Sequence, residues 1–264
     1  MSPPVRSSDP IVALEGVTKR FGATAVLDGF DLALGRGEVV SLIGPSGCGK
    51  STVLRLIAGL ESADAGRVRA PDRGVGHVFQ DATLMPWASA LDNAALPLRF
   101  ARVGRGEARA RARVALEGVG LGAALDKRPA ELSGGMRMRV ALARALVGEA
   151  EVLLLDEPFA ALDEITRFRL NDDLTALAAR RGLSILFVTH SVYEAVGLSD
   201  RIAVMSTAGG RIEREIAVTA PEGRGAAFRG TTAFAEQAAA VSRALAEVVG
   251  ASEGGPIDAL PDRE

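Results

Sequence analysis

The sequence predicts an α/β fold with a parallel core sheet, and two patterns lead to that prediction. Short, almost continuous apolar segments alternate with segments of helical periodicity, as parallel strands and their covering helices do. One apolar segment also runs straight into a glycine-rich turn followed by a helix. With 264 residues, 48% of them hydrophobic, the chain can form one large domain with an appendage or two small domains.

The N-terminal part of the chain predicts two β regions. Residues 1–10 are rich in proline and serine, so we expect them to be disordered. Two strands of an antiparallel β subdomain follow, and then a helix that ends at Gly59 separates two strands of the core. In chain order these elements are the strands Ile11–Phe21, Phe30–Leu34 and Gly37–Gly44, the helix Ser51–Leu60 and the strand Val75–Gln80.

The pattern is helical from about Ala88 to Val147, which predicts a helical subdomain inserted into the core. Strands and helices then alternate again, and Gly182 ends the helix that begins at Ile165. Residues 250–264 have the composition of a linker or tail. The later elements are the strand Val152–Asp156, the helix Ile165–Arg180, the strand Ile185–His190, the helix Ser191–Leu198 and the strand Arg201–Ser206.

Charge, hydrophobicity and cysteine content argue against some classes of partner and some cellular compartments. The formal net charge of -2 argues against nucleic acid as the main partner. No apolar run approaches the roughly 18 residues that a membrane-spanning helix needs. The first ten residues lack the apolar core of a signal peptide, and the single cysteine fits a reducing cytoplasm.

The glycine-rich turn matches the phosphate-binding pattern G-x-x-x-x-G-K-[ST], with a strand before it and a helix after it. That context argues against a chance turn. Backbone N–H groups of such a loop surround phosphate oxygens, Lys50 should reach the β- and γ-phosphates, and the Ser51 hydroxyl should ligate Mg²⁺. The residues expected to bind the nucleotide here are Gly44, Pro45, Ser46, Gly47, Cys48, Gly49, Lys50, Ser51 and Thr52.

The thiol of Cys48 lies inside this loop, where N–H groups and an ammonium should lower its pKa. We expect it to face the site and to react with a maleimide. The alternative is an inert side chain that points into the core.

Two carboxylates end the buried strand that begins at Val152. Ligands bind at this edge of a parallel sheet, so Asp156 should hold the Mg²⁺ shell and Glu157 should polarise the attacking water as general base.

A second helix N-terminus with phosphate-binding chemistry occurs in the motif LSGGM, Leu132–Met136. Ser133 is a predicted N-cap, and Gly134 and Gly135 leave backbone N–H groups accessible. An ordinary capped helix is the alternative. If both termini bind phosphate, one chain has two phosphate sites and one lysine, which predicts two chains arranged head to tail.

These motifs, in this order, closely resemble the nucleotide-binding subunits of ABC (ATP-binding cassette) transporters over about residues 11–217. The resemblance implies a P-loop cassette with a mixed core sheet, an antiparallel β subdomain and a helical subdomain at about 88–147. Residues 218–264 would be a C-terminal helical extension and flexible tail.

The resemblance also implies roles for single residues. Phe21 would stack on adenine, although a core aromatic is the alternative. Gln80 would contact Mg²⁺, and Ala161–Asp163 would form the loop at the dimer interface, with Asp163 in the nucleotide site. His190 would contact the γ-phosphate as a catalytic residue alongside Glu157 and Lys50.

Met136 departs from the glutamine common in this family. Together with Phe79–Trp87 and Glu157–Arg167, the motif resembles one importer branch, which handles nitrate, sulfonates and taurine and has relatives that carry pyrimidine precursors of thiamine. Trp87, the only tryptophan, would be either a core residue or a contact with the membrane partner.

The resemblance therefore implies the ATPase subunit of an importer, peripheral on the cytoplasmic face of the inner membrane. Two copies would enclose two ATP and Mg²⁺, move integral-membrane permease subunits and depend indirectly on a solute-binding protein. The alternative is a soluble ABC ATPase without transport; one cassette and no sustained heptads argue against it.

Overall fold

The structure is a computed structural model that describes residues 9–72, 74–220 and 223–252. Most of the disordered N-terminus and nearly all of the tail that the sequence predicts lie outside these residues. The strands of the described residues are β1 (Val12–Phe21), β2 (Thr24–Leu34), β3 (Val39–Ile43), β4 (Ala65–Arg69), β5 (Val75–Val78), β6 (Val152–Asp156), β7 (Ser184–Val188), β8 (Arg201–Met205) and β9 (Ile212–Ala217).

The core sheet contains six strands in the order β5-β6-β7-β3-β8-β9. Its first five strands are parallel, and β9 is antiparallel to β8. Strands β7 and β8 are buried along their whole length, which explains their continuous apolar sequences. The predicted parallel core is therefore confirmed, while β9 was not predicted because it is polar and largely accessible.

A second, antiparallel sheet has the order β2-β1-β4 and confirms the predicted antiparallel pair. Strand β2 begins at Thr24, earlier than predicted, and Thr24 pairs with Phe21 across a tight turn. Strand β4 was missed because most of its residues are exposed. Gly66 of β4 has a φ of 83°, and a Cβ there would lie 2.3 Å from the Gly16 carbonyl oxygen, so this close strand crossing requires glycine.

The helical segment between β5 and β6 resolves into three α-helices and two 3₁₀ turns, Gly122–Ala124 and Pro129–Glu131. Several helices begin at a serine or aspartate whose side chain accepts a backbone N–H. The helices of the described residues are α1 (Lys50–Ile57), α2 (Ala90–Phe100), α3 (Arg105–Gly118), α4 (Gly134–Leu146), α5 (Glu164–Arg181), α6 (Val192–Leu198), α7 (Ala226–Arg229) and α8 (Thr232–Ser252).

Apolar side chains cover the two faces of the core sheet separately. Along β6, Leu153 and Leu155 pack with the helices α2 to α5, whereas Val152 and Leu154 pack with α1 and the antiparallel sheet. This alternation within one strand shows that both of its faces are buried. Packing on both faces therefore holds the core sheet in place, and with it the start of each loop that follows a strand.

The C-terminal helices pack on α6 and on the β8–β9 side of the sheet. Val241 is fully buried, and Phe234 packs edge-on against Phe228 with 5.3 Å between ring centroids. None of the helices in the described part of the chain is long and apolar enough to cross a membrane.

Candidate nucleotide-binding site

The predicted catalytic residues meet at one edge of the core sheet. Strands β6, β7 and β3 are neighbours and parallel, so their carboxyl ends lie side by side. The glycine-rich loop follows β3, Asp156 ends β6, and His190 comes two residues after β7. Ligands bind at this edge of open α/β sheets.

Glycines give the phosphate loop its shape. Gly49 caps α1 with a φ of 102°, and a Cβ there would lie 2.8 Å from the Leu27 side chain on β2. A Cβ on Gly44 would lie 2.5 Å from the Met205 carbonyl oxygen. The loop is therefore pressed between β2 and the end of β8, while Ser46 and Gly47 at its tip are exposed.

The ammonium of Lys50 folds back over its own loop. Its Nζ donates hydrogen bonds to the carbonyl oxygens of Gly44 at 2.9 Å and Pro45 at 2.8 Å. The next residue, Ser51, donates from its hydroxyl to Asp156 Oδ1 at 2.9 Å, and Thr52 is buried in the first turn of α1. The structure thus joins the loop to the carboxylate at the end of β6.

Burial raises the pKa of Asp156, although the hydrogen bond from Ser51 opposes that shift. A nearby cation would stabilise the charged form of a carboxylate that is buried in this way. The oxygen donors of Asp156 and Ser51 suit Mg²⁺, which prefers oxygen ligands. The described residues contain no group of three or more His, Cys, Asp or Glu side chains that could hold a metal.

Glu157 and His190 are in contact. Glu157 has a φ of 45°, and its N–H donates to the Val188 carbonyl oxygen at 3.0 Å, which fixes this unusual backbone conformation. Its Oε2 then lies 3.3 Å from His190 Nδ1. A carboxylate and an imidazole at this distance can exchange or share a proton.

The prediction for the Cys48 side chain is wrong. Cys48 is buried, only 1% exposed, and packs in the apolar cluster between the sheet and α1. Burial raises the pKa of the thiol, and the opposing effect of Lys50, whose Nζ lies 3.7 Å from Sγ, is smaller. The loop turns this side chain inward, so only the backbone of Cys48 remains a candidate for phosphate contact.

The LSGGM segment lies at the start of α4 and does not bond to the phosphate loop. Ser133 is exposed and accepts the N–H of Met136 at 3.3 Å, and its other hydrogen bond in the described structure, from the Arg137 N–H to its carbonyl, also stays in its own helix. A Cβ on Gly135 would lie 2.6 Å from Thr166 Cγ2, so the start of α4 sits tightly against α5.

Three other predicted residues are exposed around this edge. Phe21 ends β1 with 45% of its surface exposed, which excludes the core alternative, and Lys19 Nζ lies 5.2 Å from its ring. Gln80 is exposed two residues beyond β5, the neighbour of β6. Asp163 caps α5, and the N–H of Thr166, at 2.9 Å from Oδ1, lowers the pKa of its carboxyl.

Two side chains near these loops could not be assigned a place from the sequence alone. Arg144 on α4 donates to the carbonyl oxygens of Ala82 at 2.8 Å and Thr83 at 2.9 Å, and so ties α4 to the loop after Gln80. Trp87, in the same region, is 71% exposed and is not a core residue. The position of Arg144 in an amphipathic helix does not indicate which carbonyl oxygens its guanidinium will contact.

Comparison with known proteins agrees with this arrangement. The profile described as ABC transporter matches residues 27–160, just over half of the chain. An aliphatic sulfonates import ATP-binding protein of Nocardia farcinica is 49% identical over 83% of this chain and 86% of its own length. A protein of the same description from Pseudomonas savastanoi pv. phaseolicola is 46% identical over 83% of this chain and 78% of its own length.

Solved structures show the same fold. A dimeric bacterial ABC transporter cassette has a TM-score of 0.69 and 33% identity, over 79% of this chain and 99% of that one. The same cassette was also solved as a post-hydrolysis dimer with ADP and phosphate. A cassette of a Clostridium perfringens transporter complex has a TM-score of 0.71 and 29% identity, over 79% of this chain and 88% of that one. The predicted cassette fold is thus confirmed, and the chain belongs to the ATP-binding proteins of the ABC transporter family.

Proposed function

We propose that this chain is the ATP-hydrolysing subunit of an importer for aliphatic sulfonates. The observation that carries the proposal is the meeting of the phosphate loop with Asp156, Glu157 and His190 at one sheet edge. Relatives that are nearly half identical are named as sulfonate import ATP-binding proteins.

The residues of the chain divide the work of hydrolysis. Lys50 exchanges its two loop carbonyls for the β- and γ-phosphates of ATP, because a phosphate oxygen is the stronger acceptor. Ser51, Asp156 and Gln80 would hold Mg²⁺, which neutralises phosphate charge when it is bound. Phe21 would stack on adenine from the end of β1.

Glu157 is the proposed general base and His190 its partner. Glu157 accepts a proton from the attacking water, and the 3.3 Å contact lets His190 orient the carboxylate and bond to the γ-phosphate. The backbone bond of Glu157 to β7 fixes the position of the base before the nucleotide arrives.

A second copy of the chain would complete the site. At this helix N-terminus Ser133 is exposed, Gly134 is partly exposed and Gly135 is buried, and none of the three makes a hydrogen bond to the phosphate loop of its own chain in the described residues. This arrangement fits a phosphate contact across a dimer, with Asp163 at the interface. Dimeric cassettes with this fold support the proposal.

The membrane partners are inferred from the relatives' import function. Permease subunits would bind near Gln80 and the exposed Trp87, and would place the chain on the cytoplasmic face of the membrane. A separate solute-binding protein would select the cargo.

Gene deletion in the native organism tests the cargo. We expect the deletion strain to lose growth on ethanesulfonate as sole sulfur source and to grow normally on sulfate. The wild-type chain should restore growth, whereas the Glu157→Gln variant should not. Normal growth of the deletion strain on ethanesulfonate would contradict the sulfonate assignment, and parallel cultures on nitrate, on taurine or without thiamine would identify another cargo of this branch.

A further inference from the structure

Behind the Glu157–His190 pair lies a line of polar side chains that the catalytic roles above do not use. Glu194, in the first turn of α6, is only 5% exposed and accepts a hydrogen bond from Thr189 Oγ1 at 2.5 Å. Arg167 on α5 forms an ion pair with the same carboxylate, with 3.3 Å between Nε and Oε1. The three side chains therefore connect two helices.

One end of this line fixes the segment that carries His190. Thr189 is 2% exposed, and its hydroxyl also accepts the N–H of Ser191 at 3.0 Å. Its own N–H donates to the Leu42 carbonyl oxygen at 3.3 Å. The residues on both sides of His190 are thus bonded, while the imidazole itself remains exposed.

The other end fixes the loop that carries Asp163. Arg167 Nη2 donates to the Leu162 carbonyl oxygen at 2.9 Å, and the Arg167 N–H donates to the Asp163 carbonyl oxygen at 2.9 Å. The Leu162 side chain lies 3.3 Å from where a Cβ on Gly134 would stand, so this loop also touches the LSGGM segment.

The energetics do not favour such a line for stability alone. Burial raises the pKa of the Glu194 carboxyl, since desolvation outweighs its bonds to Thr189 and Arg167. Glu194 is buried while the Arg167 side chain is 28% exposed, and apolar side chains of similar volume often stabilise a core as well as such an ion pair does. Arg167 and Glu194 also hold the Asp163 loop and the His190 segment in place through hydrogen bonds, and apolar side chains could not make those bonds.

We propose that Arg167 and Glu194 are positioning residues that couple the Asp163 loop to the His190 segment, so that a change at the dimer interface alters the catalytic pair. The inference rests on the proposed ATPase function. Contact of a second copy with the Asp163 loop would shift Leu162, and the line through Arg167, Glu194 and Thr189 would carry that shift to His190.

Steady-state kinetics of charge-neutral variants tests the coupling. We expect Arg167→Gln and Glu194→Gln to lower kcat by about tenfold to a hundredfold, as misplaced catalytic groups do. The KM for ATP and its Kd should change by less than about twofold, because neither residue touches the nucleotide. The double variant should be about as slow as the slower single variant, since residues that act as a unit give non-additive effects.

Matched controls separate positioning from folding. Arg169→Gln changes an exposed arginine of the same helix, and Glu236→Gln an exposed glutamate of α8; both should keep wild-type kcat. If Arg167→Gln or Glu194→Gln fails to fold, the comparison of Thr189→Ser with Thr189→Val tests the coupling instead. The serine keeps the hydroxyl and should keep kcat, whereas the isosteric valine should lose it.

Folded Arg167→Gln and Glu194→Gln variants with wild-type kcat would overturn the coupling, and so would a Thr189→Val variant as active as Thr189→Ser. Additive losses that follow the melting temperature would also overturn it, since they indicate a structural role only. A wild-type chain without Mg²⁺-dependent ATPase activity would instead overturn the proposed function, and this inference with it.

Discussion

At Glu157 the backbone takes a left-handed conformation, with a φ of 45°. Such a conformation costs on the order of 1–3 kcal/mol in a residue other than glycine. Glycine would relieve that strain but has no carboxylate. The hydrogen bond from the Glu157 N–H to Val188 holds this conformation and directs the side chain toward His190, so the strain is a consequence of placing a carboxylate at this edge.

Motifs predicted the residues that meet at the candidate nucleotide-binding site, because the phosphate loop, Asp156 and Glu157 follow directly from strands that are easily recognised. The same reasoning failed for Cys48. Sequence position gives the backbone path of a loop but not the direction of each side chain within it. The contacts of Arg167 with Glu194 join different helices, and no local spacing indicates them.

Cys48 should react slowly with a maleimide in the native protein. The thiol is buried and its pKa is raised, so both access and thiolate fraction are low. We expect native labelling to be on the order of a hundredfold slower than in denaturant, because local opening must come first. Intact mass spectrometry over time measures both rates, and native labelling as fast as that of the denatured chain would contradict the buried geometry.

Asp156→Asn should stabilise the nucleotide-free protein at neutral pH while it abolishes Mg²⁺-dependent hydrolysis. Burial raises the pKa of Asp156 in the folded state, so the folded chain binds a proton more readily than the unfolded chain. Stability is therefore lost as pH rises through the folded pKa.

Asparagine does not ionise, so the Asp156→Asn variant does not lose folding stability in this way as the pH rises. Its melting temperature should exceed that of the wild type at pH 7, and the difference should shrink as pH falls toward the ordinary aspartate pKa. Thermal unfolding across that pH range measures the difference, and a constant difference would argue against a desolvated carboxylate.

At the scale of elements, burial decides which strands the sequence reveals. Strands β7 and β8 are covered on both faces and have unbroken apolar sequences. Strands β4 and β9 lie at sheet edges, are polar, and were missed. The start of α4 was recognised from Ser133 and its glycines, since a cap has a local signature.

Ser133→Arg should separate binding from hydrolysis. Ser133 is exposed at the start of α4, so an arginine there would extend into the space that a second chain would occupy in the proposed dimer. Monomers should bind ATP normally, while hydrolysis should fall by more than about tenfold.

Ser133→Ala also loses the cap, worth about 1 kcal/mol, and the hydroxyl, but adds no bulk, so the difference between the two variants reports the steric effect of the arginine alone. ATP binding by calorimetry and ATPase rates report the two effects. Loss of ATP binding in Ser133→Arg monomers would contradict a role across the dimer.

At the scale of the whole molecule, the C-terminal helices belong to the packed structure. Arg229 of α7 makes two hydrogen bonds to Asp172 of α5, at 2.7 and 2.8 Å. Phe234 of α8 packs against Tyr193 of α6, with 5.8 Å between ring centroids. The extension therefore contacts α5 and α6, the two helices that follow Asp163 and His190. The helical extension was predicted for residues 218–264, but no sequence pattern indicated these contacts.

Phe234→Ala should destabilise the chain by about 3–5 kcal/mol, because it removes a ring that is only 3% exposed. Phe100→Ala is the control; that ring is 76% exposed, and the change should stay within about 0.5 kcal/mol. Chemical denaturation measures both. Equal stabilities of the two variants would show that α8 is not part of the cooperative fold.

In the proposed function, two copies of the chain enclose ATP. Glu157→Gln tests this proposal most directly, because it removes the base while keeping the size of the side chain, and should lower kcat by about 10²–10⁴. ATP should then remain bound and uncleaved. In size-exclusion chromatography with light scattering, we expect a monomer without nucleotide and a dimer with ATP. A variant that stays monomeric at saturating ATP, or that hydrolyses ATP at the wild-type rate, would contradict the account.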